Sequence, residues 1–210
     1  MKKVLSLVAI LAALAGTASA APYYLPQPAG GALTPYDIQP VYSLEGVYNF
    51  VQDAPDTYGA RLNLSLYSSD EGTVRHQFTI SAGYEYGRDT YSMGIYDYKA
   101  DMERIPVTVG YDINIALTDY LLLDLGAKIG YAEGVAEISY SAPEEIAGER
   151  VTEHMGGFTY GLGAGIKVQF SESVHVKLGY EFGRTFFKHY GDRSLNINQH
   201  SLVVGVGCLF

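Results

Sequence analysis

From residue 40 onward the chain alternates apolar and polar residues with a period of two, and it does so in eight separate runs. In the first run Tyr42, Leu44, Tyr48 and Phe50 share one parity, and Ser43, Glu45 and Asn49 share the other. The second sets Tyr58, Leu62, Leu64 and Leu66 against Arg61, Asn63 and Ser65. The third sets Phe78, Ile80, Ala82, Tyr84 and Tyr86 against Gln77, Thr79, Ser81 and Glu85. The fourth opposes Ile105, Val107, Val109, Tyr111 and Ile113 to Arg104, Thr108, Asp112 and Asn114, and the fifth opposes Leu121, Leu123, Leu125, Ile129 and Tyr131 to Asp124, Lys128 and glycines. The sixth has Phe158, Tyr160, Leu162, Ile166 and Phe170 against Thr159, Lys167, Gln169 and three glycines. The seventh has Val174, Val176, Leu178, Tyr180 and Phe182 against His175, Lys177 and Glu181. The last, Asn198 to Phe210, has Leu202, Val204, Val206, Cys208 and Phe210 against Gln199, Ser201 and glycines. Successive strand residues point to opposite faces, so each run predicts a strand with one apolar face.

The connections alternate in length. Residues 68–74, 116–119 and 171–173 are short and polar, whereas 88–103, 133–155 and 185–197 are long; 51–57 is brief. Short turns on one side and long loops on the other, with an even strand count, predict an all-β fold, an eight-stranded antiparallel up-and-down transmembrane β-barrel over 40–210. A soluble barrel puts its apolar face inside. An eight-stranded interior is only just wide enough for side chains, so it can take glycines and scattered charges but not the full set of Leu, Tyr and Phe. The apolar face is therefore outside. Tyr42, Phe78, Tyr111, Phe170 and Phe210 fall at the turn side, and Phe50, Tyr58, Tyr84, Tyr131, Phe158 and Phe182 at the loop side. These make two aromatic girdles around an aliphatic band.

The first 20 residues stand apart. Lys2 and Lys3, an apolar run from Val4 to Gly16 and the small-residue site Ala18-Ser19-Ala20 predict a signal peptide, the run being short for a spanning helix. No cysteine follows the site, which argues against a lipid anchor. Its removal takes the net charge of −9 to about −11. An acidic chain without a basic cluster argues against nucleic acid as a partner. Residues 21–39 hold four prolines and two adjacent glycines and predict an extended periplasmic lead-in. A single cysteine, Cys208, excludes an intramolecular disulfide framework.

Signal peptide, eight alternating strands, aromatic girdles and the terminal Phe210 together resemble the small outer-membrane barrels of the OmpA/OmpX type, without a peptidoglycan-binding domain after the barrel. The resemblance implies residence in the cell outer membrane among lipid and lipopolysaccharide. It also implies that Phe210 is part of the signal read by the barrel-assembly machinery. Members of that group are structural barrels, adhesins, surface-evasion proteins or lipid-modifying enzymes, and fold alone does not choose among them.

Candidate chemistry is sparse, and no cofactor or metal set is expected. His200-Ser201 invites comparison with lipid A deacylases, but a hydroxyl nucleophile and its base must share a face, and adjacent strand residues do not. His76, His154, His175 and His189 have no ligand spacing. The 133–155 segment carries six glutamates against Arg150 and reads as a solvated acidic surface or a weak cation site. Alternation continues into it through Ile138 and Tyr140, so its strands are expected to protrude and offer an edge to a partner strand. Hairpin register supplies the remaining expectation. Pairing Phe170 with Val174 sets Lys167 opposite Lys177, and pairing Ile115 with Leu121 sets Asp112 opposite Asp124, all four inward. Like charges facing each other are unfavourable, so Asp112, Asp124, Lys167 and Lys177 are expected to form one network that plugs the lumen. The function expected is structural or recognitional, carried by the loops through a host or surface ligand. The alternatives are a narrow porin-like channel and, third, a lipid A-modifying enzyme.

Overall fold

The computed structural model describes residues 38–52, 54–68, 74–93, 96–141, 150–171, 174–188 and 194–209. Eight strands follow one another as β1 (Ile38–Val51), β2 (Thr57–Ser68), β3 (Val74–Met93), β4 (Tyr96–Ala116), β5 (Leu121–Ser141), β6 (Arg150–Gln169), β7 (Val174–Lys188) and β8 (Ser194–Leu209). Each pairs antiparallel with its sequence neighbours, and β8 pairs with β1 to close the ring. The proposed leader, most of the Pro-rich lead-in, His189 and Phe210 lie outside the described residues.

Every pairing keeps one register from end to end, so the alternation read from the sequence is never interrupted by a bulge. Following pairs round the ring leads from Val41 to Ser65, Thr79, Gly110, Lys128, Gly161, Gly183 and Gln199, and then to Val51. The path returns to β1 ten residues above its start. That stagger tilts the strands by about 40° and fixes which side chains share a level inside.

The polarity is inverted relative to a soluble domain. Leu62, Phe78 and Leu162 are 67%, 57% and 59% exposed, whereas Asn49, Glu85 and Ser201 are fully buried. Apolar side chains thus face lipid, and polar ones fill the lumen, as a closed ring without free backbone edges in the apolar band requires.

The long connections differ from the loops expected at 88–103, 133–155 and 185–197. β3 and β4 stay paired up to Met93 opposite Tyr96, and β5 and β6 up to Ser139 opposite Arg150. β4 and β5 also remain paired up to Asp97 opposite Ser141. The pairing between β6 and β7 stops at Gly156 opposite Lys188, and that between β2 and β3 at Thr57 opposite Gly87. Strands β3–β6 therefore continue as a four-stranded sheet above a shorter rim. Arg88, Lys99, Asp101, Glu103, Glu133, Glu137 and Arg150 take the outward parity of this sheet, where water replaces lipid, whereas Asp89 and Glu153 take the inward one.

Glycine lets strands approach closely inside the ring. A Cβ on Gly130 would sit 2.1 Å from Val107 O and 2.7 Å from Thr108 Cα, both backbone atoms that cannot move aside. At Gly46 the nearest atom would be Val204 O at 3.7 Å, an ordinary contact. Gly130→Ala should therefore lower the temperature at which the fast-migrating folded band on an unboiled gel is lost, and Gly46→Ala should leave it unchanged. Equal behaviour of the two variants would contradict this packing.

Candidate functional site

Two regions concentrate chemistry: the lumen and the projecting sheet. The lumen is built in levels. Nearest the short turns, Lys167 Nζ lies 2.8 Å from Asp124 Oδ1 while donating hydrogen bonds to Gln77 Oε1 at 2.8 Å and Asn114 Oδ1 at 2.7 Å. Lys177 Nζ reaches the same carboxylate at Oδ2, 2.9 Å away, and Glu45 Oε1 at 3.5 Å. One level up, Arg61 donates to Glu181 Oε2 at 2.6 Å and contacts Glu85 Oε1 at 3.4 Å. Lys128 also binds Glu181. Above these, Arg104 grips Glu85 through Nε at 2.9 Å and through Nη2, and Asn49 Nδ2 donates to Glu85 Oε2 at 2.9 Å.

The four residues expected to form the plug are thus only partly brought together. The β6–β7 hairpin sets Lys167 opposite Lys177, and both lysines reach Asp124. The expected face-off of Asp112 with Asp124 is replaced: Asn114 stands opposite Asp124, and Asp112 opposite Gly126. The turn explains the slip of two residues. Thr118 Oγ1 accepts the N–H of Leu121 at 3.1 Å, and Leu121 O accepts the N–H groups of Leu117 and Thr118. A Thr-centred turn of this kind sets where pairing resumes, here at Ala116 opposite Leu122. The slip exchanges a repulsive pair for a neutral amide beside a carboxylate. Asp112 accepts a hydrogen bond from Thr79 at 3.1 Å, its carboxylate lying where a Cβ on Gly126 would be.

Reading the sequence left out the larger part of the network, Glu45, Arg61, Glu85, Arg104, Lys128 and Glu181. Each stood in the inward parity of its strand, and that was the available signal. With Asp112 and Asp124 the network holds five carboxylates, Glu45, Glu85, Asp112, Asp124 and Glu181, against five cations, Arg61, Arg104, Lys128, Lys167 and Lys177. Its formal charges cancel. Between its levels a cavity of about 50 Å³ remains, lined by Ser43, Asn63, Thr79 and Thr108 beside the charged groups. That volume accommodates ordered water and little else.

An apolar layer closes the lumen at the long-hairpin end. Met102, Ala132, Met155, Phe187 and Ile197 form one buried cluster, with Val51, Ala54 and Ala136 packed against it. These inward residues lie at or beyond the upper ends of the strands expected from sequence, Phe187 and Ile197 within the segment expected to be a loop.

The projecting sheet is amphipathic too. Its inner face continues the apolar layer upward through the half-exposed Tyr91, Ile138 and Val151. Tyr91 stacks on Tyr98, ring centroids 5.1 Å apart. Its outer face is charged, with Arg150 paired to Glu137 and Arg88 to Asp101. Lys99 reaches Asp101 at 3.1 Å, and Tyr86 donates to it at 2.8 Å. Burial raises the Asp101 pKa, but hydrogen bonds from Arg88, Tyr86 and Lys99 outweigh it and hold the carboxyl well below its usual range. His200 and Ser201 point apart: His200 is outward against Tyr180 and Phe182, while Ser201 is fully buried inward. His76 faces outward and meets the Tyr111 hydroxyl at 2.5 Å, and Cys208 is half-buried opposite Tyr42 and Val174.

Glu85 joins three partners, so its neutralisation takes from the buried Arg104 the carboxylate that it grips and leaves Arg61 to Glu181. Breaking a buried pair from one side costs about 3–5 kcal/mol. Glu85→Gln should lower unfolding stability in detergent or lipid by about that amount, measured by urea titration, whereas Ser43→Ala beside the cavity should change it little. A Glu85→Gln protein as stable as the parent would show that the network carries no such strain when broken.

No curated protein matches the chain. Solved structures that it resembles include neisserial surface protein A (NspA), 16% identical, covering 83% of this chain and 97% of that one, with a TM-score of 0.45. Another is Ail, the attachment invasion locus protein of Yersinia pestis, 15% identical over 83% of this chain and 99% of that one, TM-score 0.46. The outer membrane enzyme PagL is 18% identical over 78% and 97% of the two chains, TM-score 0.44. A family match spans residues 6–210, nearly the whole chain, and its description agrees with the inverted polarity, the closed ring and the aromatic girdles described above. The protein belongs to the outer membrane protein β-barrel domain family and resides in the cell outer membrane.

Proposed function

We propose that this barrel is a non-enzymatic surface-recognition protein whose contact element is the projecting sheet and whose lumen is closed. With the short turns periplasmic, the usual asymmetry of such barrels, the β3–β6 sheet stands outside the cell. The observation that carries the reading is that β3–β6 remain paired well beyond the rim set by β6–β7 and β2–β3. A barrel needs no such extension to span lipid. It presents an ordered two-faced surface at the level of lipopolysaccharide, toward a host or surface ligand, and ordered scaffolds of this kind commonly hold binding surfaces. Folding into the membrane through the barrel-assembly machinery is part of the same reading.

The filled lumen supports it. Conduction needs a continuous wet path, and here charge-paired levels and an apolar cap lie in series. The protein should show little conductance in planar bilayers; a large steady current from the unmodified barrel would favour the channel reading.

Recognition is tested by shortening the sheet. Gly87 pairs with Met102 and Gly134 with Met155, so each hairpin can be closed there by an Asn-Gly turn. The shortened protein should keep its folded, heat-shifting band. Adherence of cells bearing it to matrix-coated surfaces should fall to that of cells lacking the protein. Undiminished adherence would remove the projecting sheet from consideration.

A further inference from the structure

The two sides of the barrel treat their outward cations differently. On the projecting wall Arg88 and Lys99 share Asp101, and Arg150 meets Glu137, so the chain supplies its own counter-ions there. On the shorter wall one cation stands apart. Arg184 of β7 has the outward parity of Tyr180 and Phe182, and lies between the inward, buried Gly183 and Thr185. Among the described residues no carboxylate pairs with it, and its Nε is buried without a hydrogen-bond partner.

The side chain is nevertheless held in place. Its guanidinium lies over the Phe186 ring, 4.9 Å from the centroid, and Phe186 stacks in turn on Tyr160 at 6.0 Å. A guanidinium laid over a ring keeps its donor edge for an anion, and its planar fork matches two oxygens of one phosphate. Amides flank it. Asn198 stands opposite Arg184 in the β7–β8 ladder, and Asn196 stands opposite Phe186. Asn198 Nδ2 donates to Gln52 Oε1 at 3.2 Å and carries a second hydrogen for another acceptor.

Height identifies the ligand. One outward step toward the apolar band, Phe182, His200 and Phe50 form a row across β7, β8 and β1. Phe50 and Phe182 belong to the loop-side aromatic girdle, the level at which rings meet lipid headgroups. Two strand residues rise about 7 Å, which puts the guanidinium in the headgroup layer of the outer leaflet when the short turns are periplasmic. A group that stays charged and faces lipid at that depth needs its counter-ion from the lipid. We propose that Arg184, with Asn198 beside it, binds the phosphate of an anionic glycolipid of the outer leaflet. Lipid is thereby held on the β7–β8 wall, whereas the projecting wall, its cations already paired, offers no equivalent fork.

The test uses the full-length protein in phosphatidylcholine nanodiscs doped with bisphosphorylated lipid A, and native mass spectrometry counts the lipid A kept by the released barrel. The parent should keep one molecule. Arg184→Gln should keep about tenfold less, as loss of a charge-assisted contact implies. Arg184→Lys retains the charge without the fork and should fall between them. Lipid A stripped of its phosphates has the same acyl chains and should be kept equally weakly by the parent and by Arg184→Gln. Inorganic phosphate at millimolar concentration should not displace the bound lipid. Both variants are first checked for the heat-dependent gel shift.

Parent-like retention by Arg184→Gln, or equal retention of phosphorylated and dephosphorylated lipid A by the parent, would overturn the proposal. So would displacement by inorganic phosphate, because the site would then serve a free anion. The comparison of the two lipids needs the parent alone, so it decides even where Arg184→Gln fails to fold.

Discussion

The stagger of ten residues round the ring is the constraint on which the interior depends. Hydrogen-bonded closure leaves no backbone edge in the apolar band, where an unpaired N–H or C=O would cost several kcal/mol. Closure also fixes levels. Because each strand is displaced along its neighbour, side chains distant in sequence share one height. Arg61 meets Glu181, 120 positions away, and Lys167 meets Gln77, 90 positions away. A different stagger would keep the same inward set but give it other partners.

That dependence explains why the ten charged residues of the network balance as five carboxylates and five cations. Isolated charges in so narrow an interior would be prohibitive, and buried pairs are tolerated only when their remaining atoms are also bonded. Glu85 satisfies this through Arg61, Arg104 and Asn49, and Lys167 through Asp124, Gln77 and Asn114. Such a network contributes to specificity of register more than to stability: a slip of two residues in one strand would separate every pair it forms. The β4–β5 turn illustrates the sensitivity, since the two-residue difference between expected and observed register moved Asp124 from facing a carboxylate to facing an amide.

What was legible in the sequence follows from the same physics. Parity is local, so the faces of all eight strands, and hence the fold and the lipid-facing surface, could be read from alternation. The inward position of Glu85 or Glu181 was legible; their partners were not, because level is set by a ring-wide stagger that no single hairpin reveals. The Lys167–Lys177 juxtaposition needed only a short turn of obvious length, whereas Asp124 depended on how the Thr118 hydroxyl organises its turn. Strand ends failed for another reason. Above the girdles the outer face meets water, so Arg88, Lys99, Glu133 and Glu137 replace Leu and Tyr in the same parity, and a strand reads as a polar loop. Phe187 and Ile197 were hidden by the reverse change, apolar residues turning inward just where the polar lumen ends.

These two inversions of polarity occur at the same height and have one cause. Within the membrane the outside must be apolar and the narrow inside can be polar; beyond it the outside must be polar, and the inside is free to pack as an ordinary core. The cap of Met102, Met155, Phe187 and Ile197 is where the molecule changes from one regime to the other. The projecting sheet is built by soluble-protein rules on a membrane-protein base. Among the described residues the pairing of β6 with β7 ends at Gly156, below Ile138 and Val151, and these two apolar side chains of the inner face are half exposed. Partial exposure of an apolar face beside an open strand edge is an arrangement that soluble proteins normally suppress. Among the described residues β3 from Arg88 and β6 above Gly156 have no second neighbouring strand, and on β3 the Asp89 carboxylate takes the Thr90 N–H.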